Sequence, residues 1–362
     1  MAKHFVIAVT NDLVTDQRVS RIANTLVEHG YKITMVGRIL PNSLHIHRPY
    51  ATKRFKLLFN KGALFYANYN IRLFFYLLFK KFNGVISNDL DTLPACFFAS
   101  KLRNKKLVYD SHEYFTEVPE LIDRKLQQKS WLFIEKLLLP KIKHAYTVSE
   151  SIAFEYNLKY GTNFKIIRNL PTRKNHNPKL QKKDIIIYQG ALNMGRGLEL
   201  MIEAMQYISN YELWIAGTGD IDDTIKGLTN KLELNDKVKF LGRIPLNELH
   251  AITSKAQLGL SLEEDLGKSY RYALPNKMFD YIQAQIPVLV SNLPEIRNII
   301  ELYGVGEVLQ NREPKNVANQ IMQMLTNDEK LILWQRNLGK AANELSWENE
   351  KQKLLTIFES VI

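Results

Sequence analysis

The stretch QLGLSLEEDLGKSYRYALPNKMFDYIQAQIPVLVSNLPEIRN, Gln257 to Asn298, decides how the chain is read. Leu258 to Leu262 is a brief apolar run ending in Glu263-Glu264-Asp265. A polar loop follows and closes at Pro275-Asn276, where a short helix is expected to begin. Ile286-Pro287-Val288-Leu289-Val290 has the unbroken apolar character of a strand covered on both faces. Polar chemistry therefore collects after a strand and at a helix N-terminus. Open parallel sheets bind ligands at such places.

The same alternation extends in both directions. Downstream, Val305 to Leu309 reads as a strand and Pro314 to Leu325 as a helix. Upstream, Asp184 to Gln189, Tyr211 to Ala216 and Lys237 to Leu241 read as strands, with a helix over Leu198 to Ile208. At the start of the chain, Lys3 to Thr10 is a strand and Asp16 to His29 has helical apolar spacing. Gly30 suits the helix end, and Tyr31 to Val36 is a second strand. Such a βαβ unit predicts a parallel sheet. More strands are expected at Gly84 to Ser87, Lys106 to Tyr109, Ala145 to Val148 and Lys165 to Arg168. Thr172 to Lys183, TRKNHNPKLQKK, is polar and aperiodic and reads as a linker. A last helix beginning near Trp347 carries Leu354, Leu355, Phe358 and Val361 on one face. The expected fold class is α/β, two Rossmann-like domains with parallel sheets. Their bounds are 1–171 and 184–344, with a linker at 172–183 and a final helix over 345–362.

The 362 residues are long for one core. The lone cysteine, Cys96, excludes an internal disulfide and a multi-cysteine metal site. No signal peptide is legible, because Asn11-Asp12 interrupts the first apolar run. No run reaches the about 18 apolar residues of a membrane span. A cytoplasmic location is the expectation.

The net charge of +12 is uneven. From His29 to Asn88 there is no Asp or Glu, while the interval holds ten Lys and Arg. An anionic partner is implied: a membrane surface, a nucleic acid or a phosphorylated substrate. Within it, Lys53 to Phe82 mixes seven cations with seven Phe and three Tyr. One reading is a core helix flanked by solvated lysines. Another is a surface lying on an anionic bilayer. Nucleic acid ranks below both, because the apolar residues fall in runs (Leu57 to Phe59, Leu73 to Phe79) and not as isolated stacking platforms.

Several groups are candidates for chemistry. Gly190 to Gly197, GALNMGRG, lies between a strand and a helix, where glycines let the backbone approach phosphates. Arg196 within it can add a bidentate contact to a diphosphate. A plain glycine turn with a surface Arg is the alternative. Asp280 lies one turn into the helix opened by Asn276 and suits either a ribose diol or a pairing with Lys277. Asp89-Leu90-Asp91 has a metal-site spacing, but Asp91-Thr92 reads better as a helix cap. His112, between Asp110 and Glu113, is a candidate acid–base group, a substrate contact or a structural histidine. No Ser-His-Asp or Cys-His arrangement and no His/Cys metal spacing is readable.

These residues together resemble the GT-B glycosyltransferases, within them the retaining family 4. Asp16-Gln17-Arg18-Val19 followed by a helix and Gly30-Tyr31 is similar to the family's opening, and Asp110 to Glu113 to its histidine segment. Gly190 to Gly197 resembles its phosphate turn, with Arg196 in place of the usual Lys. Trp214 to Gly219, Phe240 to Arg243 and Leu274 to Tyr281 follow in the family's order. There are departures. The paired glutamates of the last block are Tyr272 and Asp280, the turn's usual Arg is Ala191, and Asn11-Asp12-Leu13 replaces a glycine-rich first loop.

The resemblance implies two domains facing a cleft and a retaining, metal-independent sugar transfer, with a final helix crossing back to the first domain. No cofactor is implied; a nucleotide-diphosphate sugar is the donor substrate. Gly190, Arg196, Gly217, Arg243, Ile244, Asn276, Lys277 and Asp280 are the implied donor contacts. His112 and Arg196 are the implied catalytic pair, and Asp16, Arg18, Asp89 and Glu113 lie on the acceptor side. Glu263 or Glu264 is a further candidate for the sugar. The implied acceptor is a glycan or a lipid-linked glycan, at the inner face of the cell membrane. A sugar-nucleotide epimerase of the same shape, and a basic nucleic-acid- or membrane-binding protein, are the other readings.

Overall fold

Each run of apolar strands alternating with helices closes into its own parallel sheet. The computed structural model describes residues 2–14, 16–174 and 182–361. The chain divides into two compact units. One holds the residues up to Arg168 and those from Glu350 onward; the other is Asn169–Asn349. Most of the expected linker, 175–181, lies outside the described residues. Its first part is anchored: the Arg173 guanidinium donates to the Asn343 carbonyl, and the Lys174 backbone N–H to Gln283 Oε1.

The first unit contains β1 (His4–Ala8), α1 (Gln17–Glu28), β2 (Lys32–Ile39), β3 (Ala51–Lys56), α2 (Gly62–Phe79), β4 (Gly84–Asn88), α3 (Leu93–Leu102), β5 (Lys106–Ser111), α4 (Pro119–Ile122), α5 (Lys125–Leu138), β6 (His144–Thr147), α6 (Glu150–Tyr160) and β7 (Phe164–Ile166). Its seven strands run in the order β3-β2-β1-β4-β5-β6-β7, paired in parallel throughout. The second unit contains β8 (Ile185–Gln189), α7 (Leu198–Ala204), β9 (Glu212–Ala216), α8 (Asp222–Lys231), β10 (Val238–Gly242), α9 (Leu246–Thr253), β11 (Leu258–Ser261), α10 (Lys268–Arg271), α11 (Asn276–Gln283), β12 (Val288–Val290), α12 (Pro294–Tyr303), β13 (Gly306–Val308), α13 (Pro314–Thr326) and α14 (Asp328–Glu344). Its six strands run β10-β9-β8-β11-β12-β13, again in parallel. The last helix is α15 (Trp347–Val361).

Both orders share one property. The chain starts in the middle, moves outward to one side, then returns and continues on the other. The switch falls between β1 and β4 in the first unit and between β8 and β11 in the second. Loops leaving such a pair diverge and open a crevice at the carboxyl edge.

The basic aromatic stretch Lys53 to Phe82 spans two elements: Ala51–Lys56 is the edge strand β3, and Gly62–Phe79 is helical. A sheet edge admits the charged pattern of β3, which conceals it in the sequence. Of the expected cap Asp91-Thr92, Thr92 occupies the N-cap position of α3 but makes no side-chain cap bond, and the Asp91 carboxylate instead accepts from Thr10 Oγ1 at 2.6 Å.

From Glu350 onward, α15 belongs to the first unit. Phe358 is fully buried, with its ring 5.4 Å from Phe5 and 6.3 Å from Tyr31, both edge-on. Lys351 reaches Glu28 at 3.9 Å on the surface. Phe358→Ala should therefore cost the first unit about 3–5 kcal/mol, the range for deleting a buried aromatic ring. In chemical unfolding the transition belonging to the first unit should move to lower denaturant while the other stays. Unchanged curves would show that the ring cluster does not hold the helix.

Candidate functional site

In the second unit the site lies along the carboxyl edge of neighbouring strands. β10, β9, β8 and β11 end in turn at Gly242, Ala216, Gln189 and Ser261. A pocket of about 210 Å³ is lined there by Gly190, Gly217, Thr218, Arg243, Ile244 and Leu249, among others. Gly217 is required by close approach and Gly190 by its backbone, at φ +139°. A Cβ on Gly217 would stand 1.8 Å from the Gly190 carbonyl oxygen, at φ +155°. Gly190, Gly217, Arg243 and Ile244 were expected from the sequence, and the fold brings all four to one hollow.

Beside it, at the switch point, Lys277 Nζ meets Glu263 Oε1 at 2.7 Å, with both side chains buried. The Lys277 ammonium also lies 4.2 Å from the centre of the Tyr188 ring. Its Cε would be 3.2 Å from a Cβ on Gly190, so the lysine lies against the phosphate-type turn. Glu263 Oε2 accepts from Ser261 at 2.8 Å. Burial works against the Glu263 charge, but Lys277 outweighs it and holds the carboxyl below its usual range; Arg196 adds to the effect. Glu264, by contrast, is half-exposed and 3.9 Å from Arg312. Of the acidic trio, Glu263 is thus the one built into the site.

Arg196 is half-buried and stacks 4.8 Å over Tyr270. The turn that carries it is tight: a Cβ on Gly197 would fall 2.1 Å from the Leu262 carbonyl oxygen. Asn276 opens α11 and accepts from Asn169 Nδ2 at 2.8 Å. Asp280 accepts from Gln189 Nε2 at 3.0 Å, and Gln189 Oε1 in turn accepts from Thr253 at 2.6 Å. Gln189 and Thr253 were not singled out in the sequence. The one signal for Gln189 is its place as the polar last residue of an otherwise apolar strand.

The first unit has a second polar centre, also at its switch point. Asp110 is fully buried and receives Arg18 Nη2 at 2.8 Å and His112 Nε2 at 3.2 Å. His112 Nδ1 meets Asp89 Oδ2 at 3.2 Å, and its backbone N–H donates to Asp89 Oδ1 at 2.8 Å. Asp89 holds a left-handed backbone, φ +57°. Burial opposes charge on His112, but Asp89 and then Asp110 outweigh it and lift the imidazole to about 9. Burial raises Asp89 to about 7 and Asp91 to about 6, offset in part by His112 and Thr10 respectively. A ring with both nitrogens facing carboxylates is an imidazolium. In that form it has no lone pair with which to act as a base.

The remaining acceptor-side candidates are placed as follows. Asp16 caps α1, accepting from the Val19 N–H at 3.0 Å. Arg18 is buried and also donates to the Ile167 carbonyl at 3.0 Å. Glu113 is exposed and follows His112 in the chain. Among the described residues, no group of three or more His, Cys, Asp or Glu is arranged to hold a metal ion. Nor is any helix long and apolar enough to cross a membrane.

Two Rossmann-like α/β units, each with a parallel sheet, define the GT-B fold. Solved structures agree. A sucrose-phosphate synthase from Thermosynechococcus elongatus superposes with TM-score 0.81 at 16% identity, covering 99% of both chains. Anabaena Alr3699/HepE in complex with UDP-glucose gives 0.76 at 12%, again covering 99% of each. Residues 171–344 match the family model for Glycosyl transferases group 1. The chain is also 24% identical over 212 residues to the O-antigen chain mannosyltransferase RfbU of Salmonella typhimurium, an alignment covering 55% of each protein. The chain spans about half the length of the curated relatives it matches.

Two measurements check these centres. With ¹³C-labelled histidine, the His112 resonance should titrate near pH 9. Asp89→Asn should lower the midpoint by about 1–3 pH units, the usual effect of losing one close opposite charge. The folded value lies above the ordinary 6.5. The stabilisation it brings is therefore full below that pH and is lost as pH rises through about 9. A midpoint near 6.5 would remove the imidazolium from the site. Separately, Lys277→Met should cost about 3–5 kcal/mol by leaving Glu263 buried and unpaired, and adding Glu263→Leu should recover most of it. Equal losses in the single and double variants would show the pair to be uncoupled.

Proposed function

We propose that the protein is a glycosyltransferase that moves a sugar from a nucleotide-diphosphate donor to a glycan or lipid-linked acceptor. The observation that carries this reading is the alignment of Gly190, Gly217, Arg243 and Ile244 around one hollow, with the Lys277–Glu263 pair at the switch point beside it. It falls within the segment that matches the glycosyl transferases group 1 model. The hollow suits the base and ribose, with Arg243 and Ile244 nearest the base and Asp280 positioned to accept from the ribose diol. Arg196, Lys277 and the first N–H groups of α11 meet the diphosphate charge.

In the transfer the bond from the anomeric carbon to the diphosphate oxygen breaks. A bond to an acceptor hydroxyl oxygen forms on the same face, and the hydroxyl proton leaves with the diphosphate. The departing charge grows in the transition state, so cations already in place lower its energy. Configuration is retained and no metal is required in this reading, because arginine and lysine supply the charge that a metal would. His112, as an imidazolium, stabilises negative charge and does not take up a proton. Envelope polysaccharide or glycolipid synthesis is the setting this reading favours, as the name of RfbU indicates for that relative.

The acceptor unit also fits an anionic membrane surface, which makes the protein a peripheral cytoplasmic enzyme in this reading. Leu64, Ile71, Phe75 and Phe79 are all exposed along α2, and Leu126, Phe133 and Leu137 along α5. Outward apolar stripes beside cations are the mark of helices that lie on bilayers.

The test is release of free nucleoside diphosphate from a panel of nucleotide sugars, with and without acceptor lipids. Release with at least one donor is expected. Arg196→Ala should weaken donor binding about 10–100-fold, the worth of one charge-assisted contact, while leaving vesicle binding intact. Conversion of the donor sugar without release would favour an epimerase. No release with any donor would sink the proposal, and unchanged affinity in the variant would remove Arg196 from the site.

A further inference from the structure

The first unit holds a larger hollow that the donor site does not use. Its volume is about 720 Å³, within the range of about 300–1,000 Å³ common for ligand sites. It lies between α2 and α5 and starts at Glu113, the neighbour of His112. Its interior is mostly aromatic and aliphatic. Tyr66 and Phe115 each stand edge-on to Trp131, with ring centres 5.0 and 5.1 Å away, and Ala67 and Ile134 complete the walls. The charged side chains on its wall, Glu113, Glu120 and Arg124, are all exposed and so form a rim, not a floor.

The two helices that wall it turn apolar stripes outward on the adjoining flank. On α2, Leu64 and Ile71 each follow directly on pocket residues, Ala63 and Asn70. On α5, Leu126 precedes Gln127 and Phe133 precedes Ile134 in the same way. The hollow thus runs from a polar end beside the histidine centre to a flank of exposed apolar side chains. Of the uncharged polar side chains on its wall, Asn70 donates to the Tyr66 and Asp91 carbonyls and Ser130 to the Leu126 carbonyl, and Gln127 is exposed, so a neutral glycan would find few free partners in this interior. One linear hydrocarbon chain would fill it.

We infer that the α2–α5 hollow is a binding site for the single apolar chain of an amphiphilic acceptor, whose polar head lies at Glu113. The inference rests on the transferase reading for calling that amphiphile the acceptor. It commits the acceptor to a lipid-linked class and separates chain binding from adsorption on the outward stripes. Ala67 and Ala63 are exposed helical positions on the wall, so a large side chain at either fills the hollow without entering the core.

The test compares decyl maltoside, kept below its micelle concentration, with maltose by titration calorimetry on the full chain. The head is the same and only the chain differs. Decyl maltoside should bind at least tenfold tighter than maltose. Ala67→Trp and Ala63→Trp should each abolish that difference while leaving nucleoside diphosphate affinity unchanged. Equal affinity for the two probes would overturn the inference in favour of a glycan site. A chain-dependent gain that survives both substitutions would overturn it in favour of the outward stripes. Either result, with nucleoside diphosphate binding intact, would leave the transferase reading standing.

Discussion

A carboxylate at the end of a buried parallel strand must have its charge answered, and both units are arranged around that constraint. Asp110 has no access to water. An isolated ion there would be costly enough to unfold or protonate it. Arg18 and His112 answer it, and each carries the consequence further. Arg18 also holds the Ile167 carbonyl, so α1 is tied to the chain that leaves β7. His112 passes the charge on to Asp89 and fixes the loop after β4 in a left-handed turn. Glu263 plays the same part in the second unit, at the equivalent switch point. There Lys277 reaches from α11 to the end of β11 and packs on the turn after β8.

This arrangement decides which groups remain for chemistry. A cation already paired with a buried carboxylate is held in position but partly neutralised. Lys277 is therefore held in position, with part of its charge taken up by Glu263. Arg196 differs: it is stacked on Tyr270 and half-buried. The imidazolium of His112 obeys the same logic. Carboxylates face both of its ring nitrogens and favour the charged form.

Much of the fold was legible because buried parallel strands are short apolar runs with polar residues at their ends. Gly84 to Ser87 and Lys106 to Tyr109 were readable on that basis, and the structure has strands at Gly84–Asn88 and Lys106–Ser111. β3 was hidden, since an edge strand reading ATKRFK has no apolar period. α8, α9 and α14 carry mixed, half-exposed sequences and were not singled out. At the site, the glycines and Arg243 could be found by their order along the chain. The partners that set their chemistry could not. Gln189 with Asp280, Thr10 with Asp91 and Glu263 with Lys277 are 91, 81 and 14 residues apart and meet only through the sheet.

The basic aromatic stretch shows why periodicity alone leaves a choice. In α2, Phe65, Tyr69, Leu73 and Leu77 recur every four residues and are buried, as a core helix requires. Leu64, Ile71, Phe75 and Phe79 occupy nearly the opposite face and are exposed. The core reading therefore holds for one face of this helix, and the other face is exposed and apolar. A helix apolar all round has no polar side to give to water. Its inner face is satisfied by the sheet, and one flank by the hollow shared with α5. What is left outward is a stripe flanked by cations, with no acid on the same helix. A stripe of that kind costs a water-exposed protein stability and solubility unless something apolar covers it. A lipid acceptor would let one helix wall the chain-binding hollow and face the membrane that supplies the chain.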